Sequence, residues 1–514
     1  MMIPSISVAR QKKQATNNEI VKFDDEIPVT NEERCTSELV IGLVGPVGSG
    51  VSTTAKELAK ILEDEFSYTV EIIKISDFIN ERASLVHSNS VEMNDNERIH
   101  KLQLLGSSLR EKFGEDVLAN FCIERIHAGR DENEVDKVRR YCTIIDSLKN
   151  PREVERLRTV YGDLFWLIGL FAPEDVRISR LKAISPSNEY IQKISNLDYD
   201  EGTEYGQSVK DTMSIADMFI RNDADNTIQL NAILQSFLDR IFEVTVITPN
   251  SDETAMFAAA NIALQSACLS RQVGAVIQNP HGEIIGQGAN DVPKFDGGLY
   301  SSNLPVTMDH RCYNWKGKIC HNDSEKDVIF DQIANFARES FKGSLEEQVQ
   351  EFVTKVRKSR VKGLIEFSRA VHAEMAAIVS AARDGVGQVR GATLFTTTFP
   401  CHNCARHIVA AGIRKVIYIE PYPKSLALNL HNDAVSTNES DEGKKVVFLQ
   451  YQGAAPRSFS RIFKPNPVRK YAGGFLPKSR KSAIPFAAPP IDSLVTREEL
   501  EVARLLKEIS DVQT

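Results

Sequence analysis

His372-Ala373-Glu374, followed by Pro400-Cys401-His402-Asn403-Cys404, sets the reading of this chain. A helical pattern over 364–383 carries the first motif, a β-rich run over 392–398 follows, and a second helix is predicted over 401–411. Helix, strand and helix therefore offer one imidazole, two thiols and a carboxylate to one site. Zn²⁺ needs three protein ligands and one open position to activate water. His372, Cys401 and Cys404 supply the three. Two cysteines three positions apart share one face of a first helical turn, and a helix N-terminus favours thiolate over thiol. In such sites water falls from pKa 15.7 to roughly 7. Glu374 is too close to His372 to bind the same metal comfortably, and is placed to shuttle protons. A purely structural zinc knuckle has no use for that carboxylate.

Around this core the pattern is α/β. Thr248-Pro249-Asn250-Ser251 marks a junction, 252–269 an alanine-rich helix, and 271–278 a strand. Asn279-Pro280-His281-Gly282 then reads as a hairpin turn and 283–289 as the paired strand, with 416–420 and 444–451 as later strands. Residues 299–360 look like an insertion. Its loop holds His310, Cys312, Cys320 and His321, donors suited to a second zinc, although short loops also collect polar residues by chance. Its remainder, 323–360, is charged and helical.

The front of the chain carries a second chemical signature. The apolar strand Leu39-Val40-Ile41-Gly42-Leu43-Val44 runs into Gly45-Pro46-Val47-Gly48-Ser49-Gly50-Val51-Ser52-Thr53, and a helix follows over 54–66. Strand, glycine-rich turn and helix are the parts of a P-loop, where backbone N–H groups cradle phosphate. Gly45 and Gly50 are correctly spaced, Gly48 lies between them, and Ser52 and Thr53 bring hydroxyls to the Mg²⁺ end. Val51, however, stands where the phosphate-binding lysine is expected. The cradle could hold a nucleoside triphosphate with Mg²⁺ yet is poorly equipped for phosphoryl transfer; a ligand-free βα turn is the plain alternative. Asp146 ends the apolar strand 141–146, as a Walker B acid or a simple cap. Strands are also expected over 69–75, 164–171 and near 216–223. Asp198, Asp200, Glu201 and Glu204 read as a solvated acidic loop.

At 514 residues, with 42% hydrophobic and 26% charged, the chain has room for more than one core. A net charge of −8 argues against general nucleic-acid coating. Eight cysteines are too sparse for a disulfide framework. The N-terminus lacks an apolar signal region, and the longest apolar run, 164–172, is far short of the roughly 20 residues that span a bilayer. No membrane partner and a cytoplasmic location are expected. Residues 1–36 read as a mobile tail, 37–247 as the P-loop unit and 250–453 as the zinc unit. Between 454 and 491 stand eight basic residues (Arg457, Arg461, Lys464, Arg469, Lys470, Lys478, Arg480 and Lys481) and no acidic one. Interleaved aromatics would suit polyphosphate or single-stranded RNA; a proline-rich tail wrapping an acidic body fits equally. An amphipathic helix over 493–510, with Leu494, Leu500, Val502 and Leu505, closes the chain.

Residues 250–453 resemble the deoxycytidylate (dCMP) deaminases. The matching runs are Cys268-Leu269-Ser270-Arg271-Gln272-Val273-Gly274-Ala275-Val276, Gly288-Ala289-Asn290, His372-Ala373-Glu374 and the Pro400 to Cys404 block. H-x-E with P-C-x-x-C is the zinc-deaminase signature. The resemblance implies an αβα cytidine-deaminase-like domain, Zn²⁺ on His372, Cys401 and Cys404, and Glu374 as acid and base. It also implies Asn290 on the sugar and base edge, with Arg271 on the hairpin that walls the pocket. A P-loop kinase-like parallel sheet ahead of this domain is similar to the bacterial anti-phage deoxycytidine nucleotide deaminases. That implies conversion of dCTP and dCMP to dUTP and dUMP, a homo-oligomer, and an inhibitory RNA or protein regulator. A housekeeping dCMP deaminase with a nucleotide-sensing front domain, or an RNA or single-stranded DNA cytosine deaminase, are the other readings.

Overall fold

The computed structural model describes residues 35–513 apart from 87–96, 131–138, 204, 224–225, 341–345, 386, 464–469, 472 and 486–488. The predicted N-terminal tail thus lies almost wholly outside the described residues, as do Glu204, Lys464 and Arg469.

The first sheet is built from β1 (Leu39–Val44), β2 (Thr69–Lys74), β3 (Tyr141–Asp146), β4 (Phe165–Phe171) and β5 (Met218–Arg221). They run parallel in the order β5-β4-β1-β3-β2. Central β1 and β4 are buried at every position, which is why they read as unbroken apolar runs: helices cover both faces of a parallel sheet. This order brings the C-terminal ends of β1 and β3 side by side, so the glycine-rich loop after β1 meets Asp146.

The second sheet is mixed. It comprises β6 (Gly274–Gln278), β7 (Ile284–Ala289), β8 (Thr393–Thr398), β9 (Lys415–Glu420), β10 (Val435–Ser436) and β11 (Val446–Gln450), in the order β10-β11-β9-β8-β6-β7. Antiparallel β6 and β7 join through the predicted turn, with Gly282 at φ 86°. Helices Ser251–Ala263 and Ala373–Asp384 pack on the strands at glycines: a Cβ on Gly286 would lie 2.6 Å from the Ala377 carbonyl oxygen, and one on Gly274 would strike that of Ala259. One continuous apolar cluster holds Val40, Phe165 and Phe219 of the first sheet together with Val276, Phe395 and Ile417 of the second. The two sheets share a packed core. The molecule is an α/β protein in which a parallel sheet with a glycine-rich loop is followed by a mixed sheet.

Several predicted bounds move. The 364–383 helix begins only at Ala373, because Val371 bridges to Asp291 in extended form and His372 is the N-cap. The 252–269 helix spans Ser251–Ala263, since the chain turns after Ala263 to bring Ser266 and Ala267 against Asn290 and Asp291. The 271–278 strand begins at Gly274, because Asn290 holds the preceding residues out of the ladder. The insertion contains helices His321–Ser340 and Glu346–Lys358, which share a small core around Phe330 and Val353.

The C-terminal stretch returns to the front of the molecule. β12 (Gly453–Ala454) pairs antiparallel with β5. The basic side chains beyond it are largely occupied: Arg461 stacks on Trp166 at 3.4 Å, Arg480 pairs with Asp239 at 2.7 Å, and Lys478 with Glu243 at 3.0 Å. The wrapping alternative therefore describes these residues. Helix Ile491–Gln513 docks on helix Val117–Ala128 and buries Leu494 and Leu505, while Leu500 points to solvent. Among the described residues no helix is long and apolar enough to cross a membrane.

Candidate active site

His372 caps helix Ala373–Asp384 and Cys401 caps helix His402–Ala410, both with extended backbone. Cys404 lies in the first turn of the second helix. Two helix N-termini thus meet at one point, where their dipoles favour negative charge. His372 Nδ1 is 3.2 Å from Cys404 Sγ and 3.4 Å from Cys401 Sγ. Among the described residues these three side chains are the only group of three or more histidine, cysteine or acidic residues whose donor atoms cluster tightly enough for a metal ion, all within 4.8 Å.

The electrostatics suit a dication. The Cys401 thiol is drawn down to about 4 by its hydrogen bond with Cys404, with further help from His372. Cys404 is pushed up by that neighbouring sulfur, by burial and by Glu374. A bound dication would stabilise both sulfurs as thiolates. His372 is raised chiefly by Cys401. The donor set and its charge fit Zn²⁺.

Glu374 reaches into the same place: its Oε2 accepts from Cys404 Sγ at 3.4 Å. Glu374 is 5% exposed, and burial raises its carboxyl above its ordinary value. A cavity of about 290 Å³ opens over the cluster. Arg271 and Asn290, the two predicted substrate contacts, both line it. Asn290 is held at both polar ends, its Oδ1 accepting from Val273 N and its Nδ2 donating to the Arg271 carbonyl, each at 2.6 Å. The Arg271 guanidinium is half-exposed and pairs with Glu420 at 3.0 Å.

Arg369, Phe399 and Tyr422 also line the cavity and were missed in the sequence. They come from separate loops, and only the proximity of Phe399 to the Pro400 motif signalled any of them. Cys312, Cys320 and His321 line it as well, next to Cys268. The second zinc is not assembled from the expected residues: His310 faces Tyr300, His321 faces Trp315, and no such cluster with Cys312 and Cys320 is found among the described residues. None of the eight cysteines is joined in a disulfide.

At the other predicted site the loop 45–50 joins β1 to helix Val51–Phe66, with Gly48 and Gly50 at φ 86° and 84°. Ser52 Oγ donates to Asp146 Oδ2 at 2.6 Å. Asp198 departs from its expected place in a solvated loop. It is 2% exposed, because its carboxylate accepts from the Val47 N–H at 2.7 Å and pairs with Lys149 at 2.8 Å.

Residues 249–420 match the family described as cytidine and deoxycytidylate deaminase zinc-binding region. The deoxycytidylate deaminase of Enterobacteria phage T2 is 30% identical over 174 residues, which is 34% of this chain and 81% of the phage protein. A UPF0200/UPF0201 protein of Archaeoglobus fulgidus is 30% identical over 183 residues, 36% of this chain, and the chain spans only 50% of that protein's length. Among solved structures, a dCMP deaminase from the cyanophage S-TIM5 is 18% identical, with 40% of this chain and 100% of that one covered at a TM-score of 0.22. The zinc-ligand geometry agrees with the sequence matches, and the chain belongs to the cytidine and deoxycytidylate deaminase family.

Proposed function

We propose that the chain hydrolyses the exocyclic amine of free deoxycytidine nucleotides, taking dCTP and dCMP to dUTP and dUMP with release of ammonia. The observation that carries this reading is the buried Glu374 carboxyl beside the His372, Cys401 and Cys404 donor set, at the floor of a cavity of about 290 Å³. That volume suits a small ligand and not a duplex. When bound, zinc supplies Lewis-acid activation of water. Glu374 takes a proton from the attacking water, delivers it to ring N3, and assists departure of ammonia. Burial raises this carboxyl above its ordinary value. Asn290 fixes the 271–273 segment as a pocket wall, and half-exposed Arg271 offers a cation to the substrate phosphates.

Depletion of the dCTP pool in anti-phage defence extends this reading, supported by the kinase-like sheet ahead of the deaminase fold. Deamination of RNA or single-stranded DNA is disfavoured by the largely paired basic tail. The test is ammonia release by the zinc-loaded full chain from dCMP, dCDP, dCTP, CTP and a cytosine-bearing oligonucleotide. Turnover of dCTP and dCMP is expected. Turnover of dCMP alone would leave a housekeeping deaminase, and turnover of the oligonucleotide alone would overturn the proposal.

A further inference from the structure

The glycine-rich loop has lost its lysine, yet the fold returns a lysine to it. Val51, at the lysine position, packs against the apolar core under helix Val51–Phe66. Lys149 lies three residues beyond Asp146, where the chain leaves β3 beside the loop. Its Nζ donates to the Gly45 carbonyl at 2.9 Å and pairs with Asp198 Oδ1 at 2.8 Å. The other oxygen of that carboxylate accepts the Val47 N–H of the loop at 2.7 Å. One anion therefore spans a loop amide and an ammonium, the same two donor types that a P-loop offers to a phosphate.

Three further features point to an anionic ligand. Ser49 Oγ is fully buried within the loop with no hydrogen-bond partner. Arg177 and Arg180, from helix Glu174–Lys182, approach the loop carbonyls of Val47 at 3.4 Å and Gly48 at 3.3 Å, so that two guanidinium groups flank the cradle. Ser52 and Asp146 are already hydrogen-bonded to each other, as a pair that would hold the Mg²⁺ of a bound polyphosphate.

We propose that this loop binds the polyphosphate chain of a Mg²⁺-nucleoside triphosphate, that Lys149 supplies the ammonium missing at Val51, and that the Asp198 carboxylate occupies the place of a phosphate oxygen until ligand displaces it. The inference stands on the loop alone and is independent of the deaminase assignment. Displacement would free Asp198 and with it the C-terminal end of helix Asn188–Tyr199.

The test is equilibrium binding of Mg²⁺ with ATP, GTP, dTTP or inorganic tripolyphosphate to the full zinc-loaded chain, with zinc content and thermal melting as controls for folding. Wild type should bind at least one of these saturably; tripolyphosphate as tight as the nucleotides would show a site that reads phosphate alone. Lys149→Met should weaken binding by about tenfold or more, the expected loss of a charge-assisted contact. Val51→Lys added to Lys149→Met should restore it. Asp198→Asn should tighten binding, since an internal competitor is removed. Absence of saturable binding in wild type, unchanged affinity in Lys149→Met, or weaker binding in Asp198→Asn would each overturn the proposal. Should Lys149→Met fail to fold, the Asp198→Asn and single Val51→Lys variants decide, both being expected to bind more tightly.

Discussion

In the proposed reaction, Glu374 and its three neighbours divide the labour of the site between charge and proton transfer. Glu374 touches the sulfur of Cys404, yet in the mechanism we propose its task is to move protons, so removing its acidity should separate metal binding from turnover. In Glu374→Gln the amide keeps the size of the side chain but cannot shuttle a proton. The turnover number should fall by about 10² to 10⁴, while metal analysis finds zinc retained. Cys404→Ser should do the opposite in order of events, with zinc lost first and activity with it. Stripping the metal with a chelator should abolish ammonia release, and the apo chain should keep most of its helical circular dichroism. The ligand-bearing helices are anchored by buried residues such as Ala377, Ala381, Ala405 and Ile408, so their fold does not depend on the ion. These residues were legible in the sequence because their chemistry is local: a two-residue and a three-residue spacing, each at a helix start. Arg369 was not, because only the fold of the insertion loop carries it to the cavity, where it lies over Trp315 at 3.5 Å and donates to the His310 carbonyl.

At the scale of elements, catalytic geometry depends on how closely one helix can lie on one strand. Helix Ala373–Asp384 carries Glu374 and is capped by His372, and it rests on β7. A Cβ on Gly288 would collide with the Ala377 amide and lie 2.6 Å from the Ala373 carbonyl oxygen. Both neighbours are backbone, so a side-chain rotation cannot relieve the clash. Gly288→Ala should therefore cost about 1–3 kcal/mol of stability. It should also lower turnover by about a hundredfold through displaced ligands, with reduced zinc affinity as the accompanying readout. Gly282→Ala, at the hairpin tip away from the helix, serves as the control, with a smaller effect on activity. The order of strands and helices was readable from apolar runs and turn residues. The helix start was not, because 364–371 shares apolar spacing with the helix that follows. What decides there is a tertiary bridge, Val371 to Asp291, and propensity yields to it.

At the scale of the molecule, the tail was the least legible part, since a run of cations without anions reads alike whether its partners are phosphates or the protein's own acids. The acids lie far away in sequence: Asp239 and Glu65 for Arg480, Glu243 for Lys478, Asp163 for Arg461. The terminal helix repeats the theme with buried charges. Arg130 stands between Glu38, just before β1, and Glu498 of helix Ile491–Gln513, at 2.7 Å from each. All three are nearly inaccessible to water. A buried cation deprived of an anion keeps its desolvation cost and loses its compensation. Glu498→Ala leaves Arg130 with Glu38 alone, so the expected loss is about 3 kcal/mol, at the low end for a broken buried pair. Denaturant unfolding measures it directly. Glu498→Gln, which keeps the volume and the hydrogen bonds but not the charge, should recover part of the loss. If the helix instead served chiefly to present basic groups to RNA, Glu498→Ala would leave unfolding unchanged, and deletion of 455–514 would lower RNA retention in a salt-dependent way. The paired side chains lead us to expect the reverse: a large stability change on either alteration, and RNA retention that is weak and indifferent to both.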